Sequence, residues 1–119
     1  MSEELIHDVS PYIDDMEVIA TNAIDCIHDC IDIVRNERGW LSDVGYTYIN
    51  LTEFLGLEKG WNHEEIKKVC QRYACDYDEA NTEIVSKHGS ILGFIQCLTA
   101  VEAHVLAMYE VTTVNKNIE

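Results

Sequence analysis

The chain has 119 residues, 47% of them hydrophobic and 8% aromatic, with 22 acidic side chains against 8 basic ones and a formal charge of −14. That length suffices for one self-contained core, and the apolar content excludes a disordered acidic tail. The charge balance disfavours nucleic acid and anionic membranes as direct partners and favours basic protein surfaces.

The opening stretch MSEELIHDV has neither the basic start nor the apolar run of an export signal, so cytoplasm is the expected compartment. Ser10 followed by Pro11 reads as a helix start, because Ser caps exposed N–H groups and Pro fits the first turn. Ile13, Met16, Ala20, Ala23, Ile27, Cys30 and Val34 then recur at spacings of three and four, which predicts a first helix over 11–36. A second helix is expected over 42–56, with Ser42 as cap and Val44, Tyr48, Leu51 and Leu55 on one face, although GYTYINL is also rich in strand-favouring residues.

Asn62 with Glu65 three residues later is a capping-box pattern, and Ile66, Cys70, Tyr73, Tyr77, Ala80 and Ile84 carry helical spacing across 63–87. Ser90 caps a last helix over 91–110, apolar on most of its circumference. Gln96, Glu102 and His104 interrupt it, so it reads as the central core helix rather than a membrane span. The expectation is an all-α fold: one domain over 1–119, a compact bundle of about four mostly antiparallel helices.

Nine acids and no Lys or Arg lie in residues 1–34. Asp14, Asp15 and Glu17 fall in the first turns of the expected helix, where negative charge complements its dipole. Glu3, Glu4 and Asp8 precede that helix. Asp25, Asp29 and Asp32 are spaced i, i+4, i+7 on the side away from the apolar seam. Like charges so placed cost roughly 0.2–0.5 kcal/mol per pair, so stability alone does not select them. A second group, Asp76, Asp78 and Glu79 with Glu83, lies late in the third helix, where Glu83 can pair with Lys87. A solvated helix face is the plain explanation of such charge. The functional one is a landing surface for Lys and Arg on a partner, formed by Asp25, Asp29, Asp32, Asp76, Asp78 and Glu79. Trp40, Trp61, Tyr46 and Tyr77 are its candidate aromatic anchors.

No catalytic site, metal site or cofactor is expected. Cys26-Ile27-His28-Asp29-Cys30 has the residue types of a metal motif, but on a helix both thiols fall on the apolar seam while His28 and Asp29 point elsewhere. Cys70 and Cys75 sit about 140° apart around a helix and make no second pair. All five cysteines lie in apolar stretches and read as buried free thiols. Glu4-Leu5-Ile6-His7 is the single Glu-x-x-His pair, where a di-iron bundle needs repeated ones. Glu102 and His104 face different ways on their helix, and the histidine is expected to be buried and hydrogen-bonded. Phosphate loops, nucleophile elbows and zinc-protease motifs are absent from the sequence.

A small, acidic, helical, non-catalytic chain resembles in overall character the bacterial immunity proteins of the colicin or contact-dependent-inhibition kind. The likeness covers no motif, so it assigns no residue roles. It implies an inhibitor that blocks a cationic nuclease toxin domain without touching nucleic acid or membrane itself. The alternative is a phage-encoded anti-restriction or anti-CRISPR inhibitor acting partly as a DNA mimic, because Asp25, Asp29 and Asp32 on a helix would have spacings loosely like those of phosphates.

Overall fold

A computed structural model describes residues 5–118, with side chains as far as Val114. Glu3 and Glu4, and with Glu4 the Glu-x-x-His pair, lie outside the described residues. The fold is mixed α/β, not an all-α bundle of four helices. Six strands form one antiparallel sheet in the order β1-β2-β3-β4-β6-β5. In chain order they are β1 (Ile6–Pro11), β2 (Glu17–Ile24), β3 (Cys30–Arg35), β4 (Leu41–Ser42), β5 (Asp76–Asp78) and β6 (Glu83–Ser86). The helices are α1 (Tyr46–Ile49), which runs into a π-helical turn at Asn50–Phe54, α2 (His63–Arg72) and α3 (Ile91–Ile118).

The expected first helix is a β-meander. Pro11 ends β1 instead of opening a helix, and Asp14 sits at φ 51° in the turn to β2. Glu17 is ion-paired across the strands to Arg35 at 3.0 Å rather than serving a helix dipole. Residues 12–34 hold nine β-branched side chains, among them Val18, Ile19, Thr21, Ile31, Ile33 and Val34, which fit a pleated surface better than a helix. Alternation then sorts them: Ile19, Thr21, Ile31 and Ile33 face the helices and are buried, while Val18, Ala20, Asp32 and Val34 face the other way.

The expected third helix stops at Arg72, where Ala74 turns the chain at φ 56°, and 76–86 form the β5–β6 hairpin. Its start is as the capping box predicts: the Asn62 side chain accepts the Glu65 N–H at 3.1 Å. Ser90 likewise accepts the Gly93 N–H at the head of α3. Inside the expected second helix, the chain first pairs as β4, then passes Val44 and Gly45 in left-handed conformations before α1 begins.

The core lies between the sheet and the helices. Ile19, Ile33, Leu41 and Ile84 from the strands meet Leu51 of the π turn, Ile66 and Cys70 of α2, and Phe94, Cys97, Val101 and Val105 of α3. Gly60, in the short 3-10 turn Glu58–Gly60, lies so close to α3 that a Cβ there would be 2.1 Å from the Val105 carbonyl oxygen. α3 is thus the core helix over its first half only. Its 28 residues span roughly 42 Å, and Leu106, Val111 and Val114 farther along are exposed. By length and composition Ile91–Val114 would also suit a membrane, with mean hydropathy 1.7, but Phe94 to Val105 are used to pack the sheet.

Candidate functional site

β4 is two residues long, and its pairing with β3 reaches only Val34 and Arg35. Among the described residues, Cys30–Ile33 therefore have β2 on one side and no strand on the other. α1 and α3 flank that gap, and between them lies a cleft of about 370 Å³.

Asp25, Asp29 and Asp32 all line it, but not through helical spacing. Asp25 and Asp29 belong to the turn between β2 and β3. Asp25 Oδ1 accepts the N–H groups of Ile27 at 2.9 Å and Asp29 at 3.0 Å, folding the five residues 25–29 around one carboxylate. Its second oxygen accepts from the Asn50 side chain at 3.4 Å. Asp29 Oδ1 accepts the Cys30 N–H at 2.9 Å. Asp32 projects from β3 opposite Ala20, and partial burial, then the neighbouring Asp29 charge, push its carboxyl above the ordinary range.

Two further carboxylates complete the cleft, and sequence reasoning missed both as binding residues. Asp43 is buried at 2% exposure. Its Oδ1 accepts the N–H groups of Gly45 and Ile84, each at 2.9 Å, and Oδ2 accepts that of Thr47 at 3.3 Å. It thereby ties the head of α1 to β6. Burial raises its pKa, and those donors oppose the shift. Glu102 leaves α3 toward the β2–β3 turn and accepts the Cys26 N–H at 3.2 Å; burial is the main cause of its raised pKa. The visible signal for Glu102 was an acid inside an apolar helix. Asp43 gave none, since Ser42 looked like the cap.

Five acidic residues thus line an opening whose apolar walls include Ile27, Ile31, Phe54 and Leu98, with Asp32 at its edge because its side chain points to the sheet face away from the helices, and no Lys or Arg lines it among the described residues. Of the four expected aromatic anchors, Tyr46, 59% exposed, is the one that lines it. Trp61 and Tyr77 are instead half-buried and packed together, with the Trp61 indole N–H donating to the Tyr77 hydroxyl at 3.1 Å. Trp40 lies elsewhere, beneath Arg38 and Lys87.

The second acidic group does not join this cleft. Asp76 approaches Lys87 at 3.8 Å. Asp78 accepts the Ala80 N–H and the Asn81 amide, and Glu79 sits in the same turn, its carbonyl accepting the Thr82 N–H. Glu83 hydrogen-bonds Ser42 rather than pairing with Lys87. Asp76 and Asp78 flank a separate groove on the sheet face away from the helices, and no residue lines both cavities.

The cysteines are all free, but Cys30 is exposed and Cys26 only partly buried, correcting the expectation of five buried thiols. The Cys26 thiol is pushed up to about 12, by burial first and then by Glu102. Cys75 lies beyond the end of α2, and it and Cys70 both interact with Cys97. His88 Nε2 is 3.8 Å from the Cys75 sulfur; Nδ1 accepts the Ser90 N–H, so Nε2 carries the proton and donates to the Tyr73 carbonyl. Among the described residues no group of three or more His, Cys, Asp and Glu is arranged to hold a metal ion. Glu102 and His104 do point apart: His104 lies 3.7 Å from Glu65, and its buried Nε2 has no hydrogen-bond partner among the described residues, contrary to expectation.

No protein-family model matches the chain, and no curated protein or solved structure matches it.

Proposed function

We propose that the chain is a non-catalytic inhibitor that takes a basic side chain of a protein partner into the acid-lined cleft. In this reading it is an immunity protein whose partner is a cationic nuclease toxin domain. The observation that carries it is that Asp25, Asp29, Asp32, Asp43 and Glu102 all line one opening with apolar walls. A Lys or Arg side chain has both characters: an aliphatic stem for Ile27, Ile31, Phe54 and Leu98, and a charged head for the carboxylates.

The electrostatics support it. Burial raises the pKa values of Asp32, Asp43 and Glu102, and the neighbouring Asp29 and Asp25 charges add to the shift at Asp32 and Glu102, so the cleft disfavours ionised acids. An entering cation favours the ionised carboxylates, and binding should therefore release protons and tighten as pH rises through the carboxylate range. The concave arrangement suits an inserted side chain. It does not favour the DNA-mimic alternative, because Asp25 and Asp29 are turned onto their own backbone and the helical row of acids is gone.

Isothermal titration against cationic nuclease domains tests the reading with Asp25, Asp29 and Asp32 replaced together by Asn. Asn keeps the turn-forming oxygen and removes the charge, at the cost of the weak 3.4 Å hydrogen bond from Asn50 to the second oxygen of Asp25. Affinity should fall by roughly tenfold or more. A triple variant that binds like the wild type at physiological salt sinks the proposal, and competition by duplex DNA would favour the mimic instead.

A further inference from the structure

The sheet face away from the helices carries the second cavity, about 380 Å³ in volume. Strand register explains its floor. Val34 pairs with Ser42, Ser42 with Val85, and Val85 with Asp76, so one row crosses β3, β4, β6 and β5 on that face. Trp40 and Val44 lie on either side of the row, and Met16 adds a third apolar wall. Among the described residues no helix covers this surface, since α1, α2 and α3 pack on the opposite face through Ile33, Leu41 and Ile84.

The charges around the groove are sorted. At one end the Trp40 ring sits 5.2 Å from the Arg38 guanidinium carbon and 5.0 Å from the Lys87 ammonium, which fixes the indole and occupies both cations. At the other end Asp78 and Glu83 stand side by side in register, while Asp76, opposite Val85, lies 3.8 Å from the Lys87 ammonium. Three acids and one lysine line the groove. Its volume is toward the lower end of the roughly 300–1,000 Å³ usual for ligand sites.

We infer that this groove docks an extended segment of a partner protein, placing an apolar side chain on Val34 and Val85 and a Lys or Arg beside Asp78 and Glu83. Charge complementarity selects that occupant. A second copy of a chain with charge −14 brings like charge to the acidic end, whereas a segment alternating basic and apolar residues satisfies both ends at once. The sheet geometry suits it, because alternate side chains of an extended segment point to one face. The inference does not depend on the cleft.

Fluorescence anisotropy with three short labelled peptides decides it: one alternating Lys and Phe, one alternating Glu and Phe, one alternating Lys and Ser. The Lys–Phe peptide should bind saturably, the Glu–Phe peptide should not, and the Lys–Ser peptide should bind roughly tenfold more weakly or worse. Val85→Lys should remove the binding. Val44→Lys, at an exposed position beside the groove, should weaken it roughly tenfold without touching the core. The variant with Asn at positions 25, 29 and 32 should bind the Lys–Phe peptide like the wild type, which separates this site from the cleft. Equal binding of the Lys–Phe and Lys–Ser peptides, or undiminished binding in the Val44→Lys protein, overturns the proposal. So does light scattering that shows a dimer dissolved by Val85→Lys, which would give the face to a second copy.

Discussion

Two hairpins in this molecule carry nearly the same acids to different ends. The β2–β3 turn holds Asp25 and Asp29 with Asp32 beside them, and the β5–β6 turn holds Asp78 and Glu79 with Asp76 and Glu83 beside them. In each turn one aspartate folds the loop, Asp25 by accepting from Ile27 and Asp29, Asp78 by accepting from Ala80 and Asn81. The surroundings differ. At β5–β6 the flanking acids meet Lys87 and Ser42. At β2–β3 they meet Asp43 and Glu102 across a cleft. Acid content in sequence therefore says little about binding until the neighbouring charges are known.

The largest expected effect is on the cleft's own frame. Asp43→Ala leaves three N–H groups without their acceptor and should cost about 3 kcal/mol or more, read as a lower urea midpoint at unchanged slope. A smaller loss than that of either turn aspartate would break the distinction between frame and loop. Next comes binding. Against the same cationic nuclease domain, Asp76→Asn, Asp78→Asn and Glu79→Gln together should change affinity less than twofold or so, while the Asn triple at the cleft costs roughly tenfold. Equal losses would erase the comparison.

Stability should show the opposite symmetry. Asp25→Ala and Asp78→Ala each remove a turn acceptor and should each cost about 1 kcal/mol by thermal or urea unfolding. The smallest effect is on pH dependence. A carboxyl whose pKa is raised by folding adds stability below its unfolded value, and that contribution is lost as pH climbs through the raised value. Asp32 and Glu102 are both raised. Unfolding free energy should thus decline as pH rises above the ordinary carboxylate range, and the double variant Asp32→Asn, Glu102→Gln should flatten that decline. An unchanged slope would show that the two groups are not linked to folding.

Local signals were legible where they acted locally. Asn62 with Glu65 and Ser90 before α3 each work within three residues, and each was readable. The 11–36 stretch failed because an apolar-dense segment satisfies a period of three to four and a period of two at once. Ile19, Ile31 and Ile33 fit either pattern, and the β-branched content was the better guide. Helical spacing singles out Asp25, Asp29 and Asp32, yet it is a turn and a strand that place them at one cleft. Asp43 and Glu102 were out of reach for another reason. Glu102 meets Cys26 across 76 positions and Asp43 meets Ile84 across 41, contacts that exist only once the sheet has formed.

The two-residue strand β4 bears on how the protein opens. Each of its sides is held by two residue pairs, so the six-stranded sheet consists of a ribbon β1–β2–β3 and a ribbon β6–β5 stitched at Leu41 and Ser42. Main-chain amides along that stitch should exchange with solvent faster than those of Ile19 and Ile33, which sit within longer ladders. Asp43 reinforces the stitch, donating its N–H to the Ile84 carbonyl at 3.1 Å and accepting the Ile84 N–H at 2.9 Å, so the angle between the ribbons rests on three consecutive residues, Leu41, Ser42 and Asp43.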